Sequence, residues 1–335
     1  MAAYTTIDDP SSVFQCKLYT GNGTAIASGG QAITLDGSEN MQPDLVWIKN
    51  RSATGNHIIT DAVRGVQLMM MSANTDAETN LTQGLTSFNS NGFTVGSLAE
   101  VNTSSNNFVS WNFKETAGVF DIVTYTGNGS NRTISHNLGA VPTMMVTKVR
   151  STTNQWLVYH KSMGNTETMK WDDTSAATTQ SNLWNSTTPT SSVFSVGTHT
   201  GSNLDGGTFV MYLFGDKQGV SKTGSYIGNG NDGNGPFIFT GFKPAFCMVK
   251  RTTAGENWLI LDNKRDSFNP QDSSLYPNLS NAEDADGADY FDFYSNGMKV
   301  KTNNGGTNTS GASYIFMAFA EQPFVTSTGV PATAR

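Results

Sequence analysis

The chain has 335 residues, of which 14% are charged and 10% aromatic, and a formal net charge of −7 spread thinly with no basic stripe. That balance excludes a disordered chain, which would be charge-rich and aromatic-poor. It also argues against sequence-independent nucleic-acid binding, which needs clustered Lys and Arg. No apolar run approaches the roughly 20 residues of a membrane helix, and Met1-Ala2-Ala3-Tyr4-Thr5-Thr6 lacks a basic-then-apolar leader pattern. Neither membrane insertion nor a signal peptide is expected. Abundant Gly, Ser, Thr and Asn point to an all-β protein with many polar turns. Cys16 and Cys247 fall at non-equivalent places and are expected as free thiols.

In chain order, residues 1–12 read as an extended lead-in and 13–19 as a strand ending in the turn phrase Tyr19-Thr20-Gly21-Asn22-Gly23. Ala32-Ile33-Thr34-Leu35 alternates like a half-buried strand, while Leu45-Val46-Trp47-Ile48 is apolar throughout, as a strand covered on both faces would be. His57-Ile58-Ile59-Thr60 is a further strand, residues 64–71 another strand or a short helix, and residues 87–96 a hairpin around Asn91-Gly92. Phe108-Val109-Ser110-Trp111-Asn112-Phe113 closes the series.

The same grammar then returns twice. Tyr125-Thr126-Gly127-Asn128-Gly129 and Tyr226-Ile227-Gly228-Asn229-Gly230 repeat the turn phrase, the tyrosines falling 106 and 101 residues apart. Pro43, Pro142 and Pro244 each precede a lysine by six residues (Lys49, Lys148, Lys250), and eight residues later stands a ring: His57, Trp156 or Trp258. Phe237-Ile238-Phe239 reads as a strand of the third unit, and residues 270–286 as an inserted surface loop rich in Asn, Asp, Ser and Pro. The expected architecture is three tandem antiparallel β-sandwich modules, jelly-roll-like and about 100 residues each. The boundaries are a lead-in at 1–12, repeats at 13–117, 118–218 and 219–322, and a tail at 323–335. Short linkers suggest a semi-rigid array of small domains.

Catalytic patterns are missing: no HExxH, CxxC, GxSxG or Walker sequence occurs, and the four histidines are scattered. The chain is therefore not expected to be an enzyme or to need a cofactor. The glycine-rich phrases lead into strands rather than helices, so they read as turns and not phosphate cradles. Lys49, Lys148 and Lys250, with Arg51, Arg150 and Arg251 nearby, read as strand-end charges reaching solvent, with a ligand patch as the alternative. Trp156 and Trp258 read as core rings or, if exposed, as platforms on which a sugar's C–H face stacks. Asp284, Asp286 and Asp289 form an acidic run with some flavour of a Ca²⁺ loop but without the EF-hand pattern; a solvated loop is the plainer reading. These five residues are the candidate glycan or receptor contacts.

On the phrases LYTGNG, QPDLVWIKNRS, DAVRGV and FNSNGFTVG over residues 18–96, with weaker echoes in the later repeats, the chain resembles a family of tail-associated proteins of marine bacteriophages, cyanophages included. That resemblance implies a virion component assembled in the host cytoplasm: a tail fibre or receptor-binding adhesin, with other virion proteins and a host receptor or glycan as partners. A homo-oligomer, a trimer by preference, is implied too. Capsid decoration or tail assembly is one alternative, and a polysaccharide-binding or depolymerising module another. Host contact is expected on the face carrying residues 270–286.

Overall fold

The computed structural model describes residues 3–285 and 290–333. It is all-β, with several antiparallel sheets, no barrel, and a strand order that recurs along the chain. In the first repeat the strands are β1 (Phe14–Thr20), β2 (Gln31–Thr34), β3 (Leu45–Asn50), β4 (Ile58–Asp61), β5 (Leu68–Met71), β6 (Thr79–Asn80), β7 (Leu85–Asn89), β8 (Gly92–Val95) and β9 (Asn107–Phe113). A larger sheet runs β1-β9-β3-β4-β5-β6, and a smaller one, β2-β8-β7, lies over its outer face.

The second repeat gives β10 (Phe120–Thr126), β11 (Arg132–Ser135), β12 (Met144–Val149), β13 (Leu157–His160), β14 (Glu167–Lys170), β15 (Thr178–Thr179), β16 (Val193–Val196) and β17 (Thr208–Phe214). They form β10-β17-β12-β13-β14-β15 and the pair β11-β16. The third gives β18 (Ser221–Ile227), β19 (Phe237–Phe239), β20 (Phe242–Arg251), β21 (Leu259–Asp262), β22 (Ser273–Ser274), β23 (Asp284–Ala285), β24 (Phe291–Tyr294), β25 (Gly297–Val300) and β26 (Ser313–Pro323). Its sheets are β18-β26-β20-β21, β19-β25-β24 and β22-β23.

The larger sheets of all three repeats turn one face to a single shared core. Along the closing strands, alternate side chains point inward in layers. Phe113, Phe214 and Phe319 form a triangle, with ring centroids 6.0, 5.2 and 6.3 Å apart. Trp111, Tyr212 and Met317 make the next layer, then Val109, Val210 and Ile315, all buried. The expected string of separate domains therefore gives way to three sheets wrapped about one pseudo-threefold axis. The physical reason lies in strands such as β3. Val46 and Ile48 pack under their own small sheet, while Leu45 and Trp47 need cover that only the other repeats supply.

The opening phrase of each repeat is a clamp on a four-residue helix: α1 (Ala99–Asn102), α2 (Thr200–Asn203) and α3 (Gly305–Asn308). Tyr19, Tyr125 and Tyr226 stack on Phe108, Phe209 and Tyr314, and their hydroxyls donate to Val101 O, Ser202 O and Thr307 O at 2.7–2.8 Å. The Oδ1 atoms of Asn102, Asn203 and Asn308 accept from the backbone N–H of Asn22, Asn128 and Asn229 at 2.8–2.9 Å. The last glycine of each phrase has φ near +70°, which a residue without Cβ adopts freely.

Polar seams join the repeats head to tail. Lys148 Nζ donates to Thr75 O of the first repeat, Lys250 Nζ to Thr174 O of the second, and Lys49 Nζ to Ser280 O of the third. All three lysines are buried, correcting the expectation that they reach solvent. Residues 270–285 are corrected likewise, residue 286 lying outside the described residues. Gln271, Ser273, Ser274, Leu275 and Asn278 are buried, Gly55 N–H donates to Ser280 O and Glu283 N–H to Arg51 O, so the segment joins repeat 3 to repeat 1. The tail bends back through a Val325–Pro331 bridge, and Ser327 donates to the Asp8 carboxylate. In the lead-in, Tyr4 OH donates to Gly241 O at 2.7 Å.

Candidate functional site

Trp156 and Trp258 are buried, their indole N–H groups donating to Met71 O (2.9 Å) and Lys170 O (2.8 Å) of the preceding repeat. They are seam residues, which overturns their candidacy as sugar platforms. His57, in the equivalent place, is buried between Trp47 and Trp111, and burial holds its pKa well below the usual range. Asp284 is exposed on β23; Asp286 and Asp289 lie outside the described residues. Their neighbour Glu283 accepts both ends of the Arg51 guanidinium, at 2.8 and 2.6 Å, and also Arg265. Among the described residues, no group of three His, Cys, Asp or Glu is placed to hold a metal ion, and no helix is long and apolar enough to cross a membrane.

Two matching networks of buried and half-buried charge join the repeats. At the seam of repeats 1 and 2, the Asp61 carboxylate accepts from Arg64 Nε and from Tyr212 OH (2.7 Å). Arg64 also donates to Leu68 O, Ile59 O and Glu78 (2.8 Å), and Glu78 in turn accepts both ends of Arg150, at 3.0 and 2.9 Å. The seam of repeats 3 and 1 repeats this group for group. Asp262 accepts from Arg265 Nε (2.6 Å) and Trp111 Nε1 (3.0 Å), and Arg265 donates to Ser273 O, Ile260 O and Glu283. A buried acid is tolerable only when fully hydrogen-bonded to a cation in this way. These acids therefore hold the seams together.

An open cleft of about 650 Å³ lies where the lead-in meets repeat 3, floored by Phe14, Cys16 and Ala245. Of its charges, Asp36 pairs with Lys17 (3.0 Å) and Lys264 (3.2 Å), and Lys243 with Glu321 (3.4 Å), while Asp8 and Asp9 accept from Ser327 and Ser38. Burial pushes the Cys16 thiol well up, away from the reactive thiolate.

The surface feature with ligand-binding character is on β19. Ile238 points into the core, and the flanking Phe237 and Phe239 face solvent at 48% and 54% exposure. Pairing across the small sheet sets Phe237 opposite Lys299 and Asp292, and Phe239 opposite Gly297 and Tyr294. Phe237 and Tyr294 have centroids 6.1 Å apart, and Lys222 Nζ stands 5.9 Å from the Phe239 ring. The corresponding outward positions are Ala32 and Thr34 on β2, and Thr133 and Ser135 on β11. Two exposed aromatics two residues apart, beside a tyrosine and a lysine, form a platform that the other repeats lack. Reading Phe237-Ile238-Phe239 as a strand without assigning its two faces missed it. Aligning the three strands on their inward isoleucines (Ile33, Ile134, Ile238) reveals it, because the phenylalanines then fall on the polar face.

The fold and this face define an all-β protein of pseudo-threefold design, with large buried seams and one asymmetric aromatic surface. Over residues 9–323 the chain belongs to the family described as a domain of unknown function, DUF7483. The match runs through all three repeats. No curated protein and no solved structure matches the chain.

Proposed function

We propose that this protein is a non-catalytic binding component of a bacteriophage particle, a tail fibre or receptor-binding adhesin that meets the host surface through β19. The single supporting observation is the Phe237/Phe239 pair. A contiguous exposed aromatic patch is a mark of an interaction surface, and among the described residues the exposed aromatics all lie in the third repeat. Rings flanked by Lys222, Asp292 and Tyr294 suit an amphipathic ligand, such as the C–H face of a surface glycan with its hydroxyls turned to the polar rim. In this reading each repeat is a jelly-roll-like module, and the pseudo-threefold design matches the symmetry of a trimeric appendage. We place the host-facing surface at β19 rather than at residues 270–286, because Gln271, Ser273, Ser274, Leu275, Asn278 and Glu283 are engaged within the molecule.

The test is binding of labelled protein to host cells and to a glycan panel, comparing the unaltered chain with F237S/F239S, which restores the small polar residues of the other repeats. We expect the double variant to keep its melting temperature and to lose at least about tenfold in affinity, or about 1.4 kcal/mol. Equal binding by both proteins overturns the assignment. A polysaccharide-binding role is favoured by the same face if soluble glycans compete with cells.

A further inference from the structure

The seam between repeats 2 and 3 lacks every member of the buried network found at the other two. His160 stands where they have Asp61 and Asp262, Met163 for Arg64 and Arg265, and Ala177 for Glu78 and Glu283; Thr252 replaces Arg150 and Arg51, and Met317 replaces Tyr212 and Trp111. The backbone register is unchanged: Ala177 N–H still donates to Thr252 O (2.9 Å), as Glu78 N–H does to Arg150 O. His160 Nε2 lies 3.3 Å from Phe316 O, and Thr168 Oγ1 donates to Val158 O at 3.0 Å, the carbonyl whose counterpart Ile59 O is served by Arg64. The seam thus lacks that ion network and is shorter in side chain at these positions, and a solvent-open cavity of about 330 Å³ remains, lined by Met163, Ala177 and Thr252 themselves.

We propose that this cavity binds a neutral pyranose carrying a methyl or acetyl group, as a free sugar or as the end of a glycan chain. Its size is at the low end for small-molecule sites, which matches one sugar residue. Met163, Ile315 and Ile227 offer an apolar wall for ring C–H groups and a methyl. Thr252 and the lining serines supply hydroxyls, and Glu167 a carboxylate able to accept from two adjacent sugar hydroxyls. With one carboxylate and no cation among the lining residues, the cavity repels sulfate, phosphate and acidic sugars. The site is separate from the Phe237/Phe239 face and stands or falls independently of it.

The test is saturation-transfer NMR and calorimetric titration of the full chain with methyl fucoside, N-acetylglucosamine, glucose and arginine methyl ester. Binding of either of the first two, with glucose at least about fivefold weaker, is the expected result. A177F fills the cavity without adding charge and E167Q removes the diol acceptor; each should weaken binding about tenfold, while F237S/F239S leaves it unchanged. E167Q is the informative variant if A177F fails to fold. No binding by either sugar, binding of the arginine ester alone, or sugar binding indifferent to both variants overturns the proposal. Competition by a longer glycan ending in the same sugar distinguishes a chain end from a free monosaccharide.

Discussion

Lys49, Lys148 and Lys250 each place an ammonium among carbonyl oxygens at a seam, and burial pushes all three down to about 8. Lysine is rarely buried, and nothing local in the sequence says that a loop from another repeat covers these strand ends. The consequence is a pH dependence of definite sign. Below pH 8 both folded and unfolded chains hold the protons, and the cost of burying them is fully present. Between pH 8 and the unfolded value of 10.5, the unfolded chain binds more protons than the folded one, so stability attributable to these groups rises with pH. K148M removes one titrating group. In denaturant unfolding, the difference between the unaltered chain and K148M should shift in favour of the unaltered chain by on the order of 1–2 kcal/mol across that window, after solvent screening. A pH-independent difference contradicts this account. Using the difference cancels the opposing titration of tyrosines and thiols.

At the scale of the element, the turn phrase was visible in the sequence long before its purpose. The glycines marked a turn correctly, but the partner of that turn is a four-residue helix too short to give any periodic signal. The asparagines that fasten it, Asn102, Asn203 and Asn308, sit about 80 residues away. The strands were legible because apolar alternation is local; which face met which sheet was not. Trp156 and Phe237 illustrate this. The sequence allows Trp156 as a core ring or as an exposed platform, and a neighbouring repeat covers it; it gives Phe237 as part of a strand whose faces it leaves unassigned, and the ring is exposed. The close approach of turn to helix gives a sharp expectation. A Cβ added at Gly127 would collide with Leu204 O and with the carbonyl carbon of Asn203. G127A should therefore cost about 1–3 kcal/mol as an overpacking substitution, measured by thermal unfolding. Alanine at Gly139, where a Cβ meets nothing within 4 Å, is the control for φ strain alone.

For the molecule as a whole, the count of repeats was legible and their closure was not. A near-continuous apolar strand announces that both faces are covered, yet the sequence does not say whether the second cover is the same module or the next. Here it is the next, and the third repeat returns to the first through Ser280, Glu283 and Asp262. The lead-in and tail also meet, Ser327 donating to the Asp8 carboxylate, and Thr5 Oγ1 ties the lead-in to Gln218 O at the end of repeat 2 (2.9 Å). The order in which the ribosome delivers the repeats is thus incidental to the fold: the molecule is a necklace whose clasp could sit at any link. A circular permutant that ties the tail to the lead-in with a flexible linker and opens between Ala117 and Gly118 should fold, melt in one cooperative transition and retain its ligand surfaces. Two separate transitions in calorimetry would instead mean that the repeats unfold as separate cooperative units.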